Sequence, residues 1–342
     1  MENKNNKIVW LSILQGWSML LVVIGHVTLN NGLELSINID IVAMEIQYII
    51  YSFHMPLFML ISGFLYWYTQ IRKEKPYKET ILSKLKRLGI PYLFFSMATL
   101  FLKFLFNPLM NRPVVFSVRQ ITDVFFITDG GNPLGEMWFI FTLLVLFLLY
   151  PLYKISLQKT LYIFIFLVFS VLLNLFFSRD IEFLCLSKIA KHLVYFYSGI
   201  LLSKYNFYEK LNSLKAFLIF LVLFIISWIF KFPEIIIAFS GIALSLALCL
   251  CLSNYFPSLF SSFRNFTYQI FLIGIFFQML IRYIYTKRFV VNISYYSVLH
   301  NYIIYILLYL LSIVLALYIS VIITKIIEKF PIKWTRLCFG LP

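Results

Sequence analysis

The chain has 342 residues, of which 62% are hydrophobic and only 13% are charged, and its formal net charge is +15. A mean hydropathy of +0.90 excludes an ordinary soluble domain of this size. Apolar stretches recur along the whole length, so we expect a single all-α polytopic membrane domain over residues 1–342. The excess of Lys and Arg lies in loops and tails, which indicates cytoplasmic loops and anionic membrane lipids rather than nucleic acid as the partner.

Hydropathy predicts about ten transmembrane helices, near residues 8–29, 41–69, 88–106, 135–153, 160–177, 184–203, 214–230, 234–253, 265–286 and 298–327. The loop between the second and third helices is strongly basic, so we expect it to be cytoplasmic. An even number of helices then places both termini in the cytoplasm. The basic residues near the C-terminal end agree with that orientation.

The first apolar run, residues 10–29, contains two polar side chains, Gln15 and His26. Eleven residues are about three helical turns, so the two lie on one face about 16 Å apart. An ionisable side chain in the membrane is costly and usually faces a cavity or the bundle interior. His26, toward the outer side in the predicted orientation, is therefore the first functional candidate.

The second predicted helix contains His54, two positions before Pro56, and also Gly63. Proline removes an amide donor and glycine permits close backbone approach, so we expect a helix that is kinked or broken around a cavity. His54 then either bonds a freed backbone carbonyl or acts as a second catalytic residue. Glu45 lies in the outer half, at the depth of His26, and a carboxylate there can orient an imidazole.

Charged residues at two helix entrances are further candidates. Lys84, Lys86 and Arg87 precede the third helix, where they can bind either the phosphates of a nucleotide-like donor or anionic lipid head groups. Glu136 and Trp138 begin the fourth helix at the outer edge of the membrane. They are either ordinary interfacial residues or contacts for an acceptor.

The four cysteines lie mostly in or next to apolar runs and have no C-x-x-C spacing; they are Cys185, Cys249, Cys251 and Cys338. This pattern is typical of neither a disulfide framework nor a zinc site. We expect the chemistry of the protein to require no metal.

Six blocks carry a resemblance to a known family: LQGWSMLLVVIGHV, SFHMPLFMLISGFLY, KLKRLGIPYLFFS, MWFIFTLLVLFLLYP, HLVYFYSGILLSKY and NFTYQIFLIGIFFQ. They resemble the acyltransferase 3 family of bacterial inner-membrane proteins, which contains polysaccharide O-acetyltransferases, fucose 4-O-acetylase-like proteins and the intercellular-adhesin C type. The first three blocks, in this order and spacing, are the specific part of the signal. The resemblance spans nearly the whole chain.

The resemblance implies transfer of an acyl group, usually acetyl from cytoplasmic acetyl-CoA, to a hydroxyl of a cell-surface polysaccharide or its lipid-linked precursor. The family's first-helix histidine falls on His26, which implies a general base or a transient acyl carrier. The family's basic stretch falls on Lys84, Lys86 and Arg87, which implies contact with the CoA phosphates. Membrane lipids, the glycan acceptor and polysaccharide-synthesis proteins are the implied partners.

Two positions depart from the family pattern. Gln15 stands where members usually have Arg or Lys, and Gly274 stands where many have a histidine. These departures keep open a non-catalytic family member in an envelope-synthesis complex. A transporter or flippase for a saccharide or acyl donor is a second alternative, because polar residues along a broken-helix cavity would serve passage as well as chemistry.

Overall fold

The computed structural model describes residues 9–29, 38–106, 117–127, 131–289, 298–330 and 332–341. Within these ranges the regular secondary structure is helical and includes no strand. The prediction of an all-α protein is confirmed for this part of the chain.

The α-helices, numbered in chain order, are α1 (Val9–Gly25), α2 (Asn38–Tyr51), α3 (His54–Tyr66), α4 (Tyr77–Lys84), α5 (Ile90–Leu105), α6 (Val118–Phe126), α7 (Trp138–Leu148), α8 (Tyr150–Ser156), α9 (Thr160–Phe176), α10 (Leu186–Tyr205), α11 (Leu214–Ile229), α12 (Glu234–Tyr255), α13 (Thr267–Ile284), α14 (Val298–Val314), α15 (Ser320–Lys329) and α16 (Lys333–Cys338). Wider π-helical turns extend several of them: Trp67–Ile71, Leu85–Gly89, Tyr285–Phe289 and Leu315–Ile319. The second of these turns joins α4 to α5 and the last joins α14 to α15, so each pair forms one long helical segment.

In the described ranges, five segments are long and apolar enough to cross a membrane: Val42–Ile71, Tyr77–Leu105, Glu234–Tyr255, Thr267–Lys287 and Tyr302–Lys329. The segment Gly135–Leu148, which contains α7 and which we call the α7 segment, forms a sixth span with α8 if the two count as one. The bend between them is 51°. The helices α1, α9 and α11 are apolar but shorter. Together with α10, these segments occupy the ten stretches that hydropathy selects. The chain is therefore a helical membrane protein, and the number of crossings stays a prediction.

The second predicted helix is interrupted at Ser52 and Phe53, between α2 and α3. Pro56 lies in the first turn of α3, where an amide donor has no intrahelical acceptor and its loss costs little. The amide of Leu57 resumes the helical pattern by donating to the carbonyl of Phe53 at 2.9 Å. The break expected from the proline is thus present, just ahead of it.

The third helix begins earlier than hydropathy indicates. The prediction started it at residue 88, whereas α4 begins at Tyr77, directly after Pro76, and runs into α5 without a loop. Lys and Glu are good helix formers, and the one glycine before Pro91, Gly89, lies at the end of the wide turn. Pro91 has no amide to donate to the carbonyl of Arg87, and the wide turn before it accommodates that loss. The basic run assigned to a loop is therefore helical.

One of two compact units comprises Met1–Phe58 and Tyr208–Lys329. Here α1 packs against α2, α12 and α13. Close packing relies on glycine: a Cβ added at Gly241 of α12 would lie 2.5 Å from Cγ of Phe53. The candidate residues of the first two predicted helices belong to this unit.

The other unit comprises Met59–Phe207 and Phe330–Pro342. In it, α10 packs against α7 and α9, and α16 packs against α5. The chain passes between the units at three points: the first, after Phe58, falls inside α3, and the other two, after Phe207 and Lys329, follow α10 and α15. A single domain over the whole chain stays a prediction.

Within the second unit, α3 and α10 cross with their backbones in contact. A Cβ added at Gly63 would lie 1.9 Å from the carbonyl oxygen of Phe196, and one added at Gly199 would lie 2.0 Å from that of Leu60. Contacts this close exclude every side chain larger than hydrogen. The close approach expected at Gly63 is confirmed, and its partner is α10.

Candidate active site

His26 directly follows α1, and its amide donates to the carbonyl of Val22 at 3.0 Å. A helix end leaves its last carbonyls without intrahelical donors. Two glutamine amides from other helices supply donors here: Gln278 Nε2 of α13 lies 2.7 Å from the carbonyl oxygen of Val23, and Gln47 Nε2 of α2 lies 2.8 Å from that of Gly25. Side chains of α2 and α13 therefore hold the end of α1, and with it His26.

Three rings meet beside this helix end. The ring centroids of His26 and Tyr51 are 5.5 Å apart, those of His26 and His54 are 6.2 Å apart, and those of Tyr51 and His54 are 4.9 Å apart. All three pairs are edge-to-face, the arrangement that aromatic rings favour. The break between α2 and α3 produces the meeting, because Tyr51 ends one helix and His54 begins the next. We call these residues the His26–Tyr51–His54 cluster.

Hydrogen bonds orient both imidazoles of the cluster. Tyr51 Oη lies 3.0 Å from His26 Nδ1, and His54 Nδ1 lies 2.8 Å from the carbonyl oxygen of Ile50. A carbonyl only accepts, so His54 Nδ1 carries a proton, and Nε2 holds the lone pair when the ring is neutral. The backbone bond that the sequence allowed for His54 is thus present, and the same residue stands beside His26.

Burial distinguishes the two histidines. His54 has 0% of its surface exposed, His26 is half-buried, and Tyr51 is 40% exposed. A substrate can therefore approach His26 and Tyr51, whereas His54 lies behind them as a packed support. The structure assigns the accessible imidazole to His26, the residue that the sequence put first.

The other two candidates in this unit lie apart from the cluster. Gln15 is half-buried on α1, about 16 Å along the helix axis from His26. Glu45 is exposed on α2 and lies about 200° around the helix from Gln47, the side chain that reaches α1. The structure therefore brings His54 rather than Glu45 to His26.

The basic candidates of the second unit divide into two environments. Lys84 Nζ lies 3.9 Å from the ring centroid of Phe147 and 5.6 Å from that of Tyr66, within reach of cation–π attraction. Lys86 and Arg87 are exposed on the wide turn that follows α4. Two cations of the basic run, Lys86 and Arg87, are therefore exposed at the protein surface. The third, Lys84, packs against aromatic rings.

Glu136 and Trp138 are both half-buried at the start of the α7 segment. Lys188 Nζ lies 5.3 Å from the Trp138 ring centroid, and the buried ring of His192 lies 5.3 Å from it at a 36° tilt. His192 Nδ1 donates to the carbonyl of Lys188 at 2.8 Å. The first turns of α10 therefore hold the indole in place.

A buried amide organises the segment that precedes Glu136. Asn132 Nδ2 lies 2.9 Å from Ser96 Oγ and 3.2 Å from Tyr92 Oη, and its Oδ1 accepts from the amide of Leu134 at 2.9 Å. A buried polar group with several hydrogen bonds specifies one conformation. The entrance to α7 is therefore fixed from α5.

Gly274 is packed on α13 against the wide turn Leu315–Ile319. A Cβ at this position would lie 3.2 Å from the carbonyl oxygen of Ala316 and 3.4 Å from its Cβ. A side chain at this position would therefore require Ala316 to shift by a few tenths of an ångström. The glycine at this position, where many family members have histidine, therefore suits the close packing of α13 against this turn.

Sequence reasoning missed three side chains of this site: Tyr51, Gln47 and Gln278. The two glutamines carried a usable signal, because an amide inside an apolar run needs a hydrogen-bond partner. Tyr51 carried none, because a tyrosine near the membrane surface is ordinary. In the described ranges, no group of three or more His, Cys, Asp or Glu side chains is placed to hold a metal ion.

The fold and this site define a class: helical membrane proteins with an accessible imidazole at the end of the first helix. A family model described as an acyltransferase domain, that of the acyltransferase 3 family, matches residues 8–325. The chain belongs to this acyltransferase family, and the resemblance drawn from its sequence motifs is confirmed. No curated protein and no solved structure matches the chain.

Proposed function

We propose that the protein is an O-acyltransferase of the bacterial cytoplasmic membrane. It moves an acyl group, acetyl in the simplest case, from cytoplasmic acyl-CoA to a hydroxyl of a cell-surface polysaccharide or its lipid-linked precursor. The observation that carries the proposal is the accessible imidazole of His26, oriented by Tyr51 at the end of α1. The acyltransferase family match over residues 8–325 supports the reaction class.

His26 is the catalytic residue in this proposal. As a general base, its neutral imidazole takes the proton of the acceptor hydroxyl while the hydroxyl oxygen attacks the thioester carbonyl. The carbon–sulfur bond then breaks, and the proton passes to the departing thiolate, which leaves an ester and free CoA. As an acyl carrier, the imidazole nitrogen attacks the thioester first and then passes the acyl group to the hydroxyl. Both routes need an imidazole that substrate can reach.

The donor side of the proposal uses the basic run. Lys86 and Arg87 are exposed, and a guanidinium can bind a phosphate through two hydrogen bonds. Lys84 adds a third cation, and Gln15 offers an amide to the donor's carbonyl or amide groups. Ten crossings with both termini in the cytoplasm would put this run where acyl-CoA is made.

The acceptor side uses the entrance to α7. In the proposed topology, Glu136 and Trp138 face the outer side of the membrane, where the glycan is. A carboxylate accepts hydrogen bonds from sugar hydroxyls. The indole, held by Lys188 and His192, would give the sugar a rigid apolar wall.

A second candidate function is a non-catalytic family member in an envelope-synthesis complex. The packing of Gly274 against Ala316 favours it, because a position that carries histidine in many family members is here a glycine in close contact with a neighbouring helical segment. This candidate predicts a folded membrane protein that transfers no acyl group. The experiment below separates the two functions.

The test is transfer of label from radiolabelled acetyl-CoA into envelope glycan, using membranes that contain the intact chain or the variant His26→Ala. We expect the substitution to lower transfer by about 100-fold or more, because it removes the group that moves the proton or the acyl group. The amount of folded protein, measured by size-exclusion chromatography in detergent, should stay the same.

Tyr255→Phe is the matched control, because Tyr255 is 77% exposed at the end of α12. Equal transfer by the intact chain and His26→Ala would contradict the role of His26. Background transfer by the folded intact chain, with several glycan acceptors offered, would favour the non-catalytic function.

A further inference from the structure

We propose that Tyr51 is the positioning residue that sets the tautomer of His26. The inference deepens the proposed function and rests on it, because it concerns the imidazole that we assign to acyl transfer. Its first observation is the distance of 3.0 Å between Tyr51 Oη and His26 Nδ1. The hydrogen bond involves Nδ1, the nitrogen nearer the backbone, so the tautomer that it sets decides whether Nε2 carries a proton.

The second observation is that the side of α2 that carries Tyr51 is also held against the end of α1 by Gln47. Gln47 and Tyr51 are four residues apart, so they lie on the same side of α2. Gln47 Nε2 bonds the carbonyl of Gly25, and Tyr51 Oη meets the side chain of the next residue, His26. Two contacts to successive residues fix the rotation of α2 against the end of α1.

The third observation concerns the ring of Tyr51. Its centroid lies 4.9 Å from that of His54, whose Nδ1 is anchored to the carbonyl of Ile50. His54 is fully buried, so Tyr51 rests on a support that is itself held by the backbone. The hydroxyl is therefore positioned through packing as well as through its hydrogen bond.

The proposed reaction requires one direction of this hydrogen bond. A neutral imidazole has one N–H, and a phenol can either donate or accept. If Tyr51 donated to Nδ1, the proton of the ring would sit on Nε2, and Nε2 would not be basic. If Tyr51 accepts from Nδ1–H, Nε2 keeps its lone pair for the acceptor hydroxyl. This second bond also persists when the ring gains a proton, and it then becomes charge-assisted.

A phenol suits this role inside a membrane. A carboxylate would orient the imidazole as well, but an ionised side chain within a membrane-spanning segment is costly. Tyr51 supplies an acceptor oxygen without a charge. Glu45, the carboxylate that the sequence suggested for the same purpose, is exposed on another side of α2.

The first experiment reads the tautomer directly. The chain contains four histidines, so the full-length protein labelled with ¹⁵N-histidine in lipid bilayers gives few signals, and His26→Gln identifies the signal of His26. We expect His26 to carry its proton on Nδ1 in the intact chain. In Tyr51→Phe, which removes only the hydroxyl, we expect a shift toward the Nε2–H form. Tyr48→Phe, on the same helix and 56% exposed, should leave the spectrum unchanged.

A His26 protonated on Nε2 in the intact chain overturns the inference, as does a tautomer population unchanged in Tyr51→Phe. This measurement needs no substrate. It therefore tests Tyr51 even if the chain transfers no acyl group, and it separates failure of the inference from failure of the proposed function.

The second experiment uses the labelled-donor assay. We expect Tyr51→Phe to lower kcat by about 10- to 100-fold with KM for acetyl-CoA within about twofold, because the hydroxyl acts through His26 rather than on binding. If His26→Ala is inactive while Tyr51→Phe keeps the kcat of the intact chain, the inference is overturned and the proposed function stands. Label bound covalently to Tyr51 also overturns it, since Tyr51 would then be an acyl carrier.

Discussion

At the scale of single residues, the glycines where α3 crosses α10 give the sharpest prediction. We expect Gly63→Ala to lower the free energy of unfolding by at least about 2 kcal/mol, because the new methyl group overlaps the carbonyl oxygen of Phe196 and backbone cannot repack as side chains do. Thermal unfolding in detergent, followed by tryptophan fluorescence, measures the change.

Gly135→Ala is the control for this prediction, because a Cβ at that position would have no neighbouring atom within 4 Å. It should unfold as the intact chain does. Equal stability of Gly63→Ala and Gly135→Ala would show that the two helices cross less closely than the structure has it.

The residues of the cluster show what sequence can and cannot predict about a site. His26 and His54 stand out because ionisable groups are rare in apolar runs. Tyr51 does not stand out among 23 tyrosines, because a tyrosine needs no special reason to lie in or beside a membrane. Its role depends on the rotation of α2 about its own axis, and one sequence contains no measure of that rotation.

At the scale of secondary-structure elements, two carbonyls at the end of α1, those of Val23 and Gly25, accept hydrogen bonds from side chains of other helices. We expect Gln278→Leu to lower the free energy of unfolding by about 1–3 kcal/mol, because the buried carbonyl of Val23 loses its amide donor. Acyl transfer should fall as well, since the same helix end positions His26. Thermal unfolding and the labelled-donor assay measure the two effects.

Gln158→Leu is the matched substitution at an exposed position just after α8. It should change neither stability nor transfer. If Gln278→Leu behaved in the same way, water or another group would have to satisfy the carbonyl of Val23, and the support of α1 by α13 would be of no consequence.

The helix α4 shows why hydropathy misplaces some boundaries. The two lysines and the glutamate of α4 have the low hydropathy that is typical of loops. They nevertheless favour helix as strongly as many apolar residues do. Pro76 and Pro91 carried the better signal: one lies directly before the helix and the other follows the wide turn. The prolines therefore indicated where the helices begin and where the wide turn lies. The start at residue 88, which rested on polarity alone, was wrong.

At the scale of the whole molecule, the topology is the property that most needs a test. We predict that the connection before α11 is cytoplasmic and the one after it is external. The helix α11 has 16 residues and is about 24 Å long, which is short for a hydrocarbon core of about 30 Å. Its crossing therefore needs a direct test. A cysteine at Lys210 and one at Phe232, each introduced after replacement of the native cysteines, should react with a membrane-impermeant maleimide from opposite sides.

Labelling of intact cells and of inside-out vesicles distinguishes the sides. We expect Phe232→Cys to react in cells and Lys210→Cys to react in vesicles only. Reaction of both from one side would mean that α11 does not cross, and the ten-helix topology would then be wrong.

The two compact units could not be read from the sequence. The first of their three boundaries, at residues 58 and 59, lies inside the apolar helix α3, with no change of composition to mark it. The first unit also joins segments that are far apart in the chain. Units of this kind are defined by tertiary contacts, whereas hydropathy and turn signals report only on neighbouring residues.

The support of α1 by α13 has a consequence for biosynthesis. The donor Gln278 is separated from its acceptor Val23 by 255 positions. At roughly 5–20 residues per second, a ribosome needs roughly 15–50 s to synthesise that interval. His26 is therefore synthesised well before the helix α13 that carries this support. A nascent or truncated chain that stops before α13 contains His26 but lacks the helix that holds it in place.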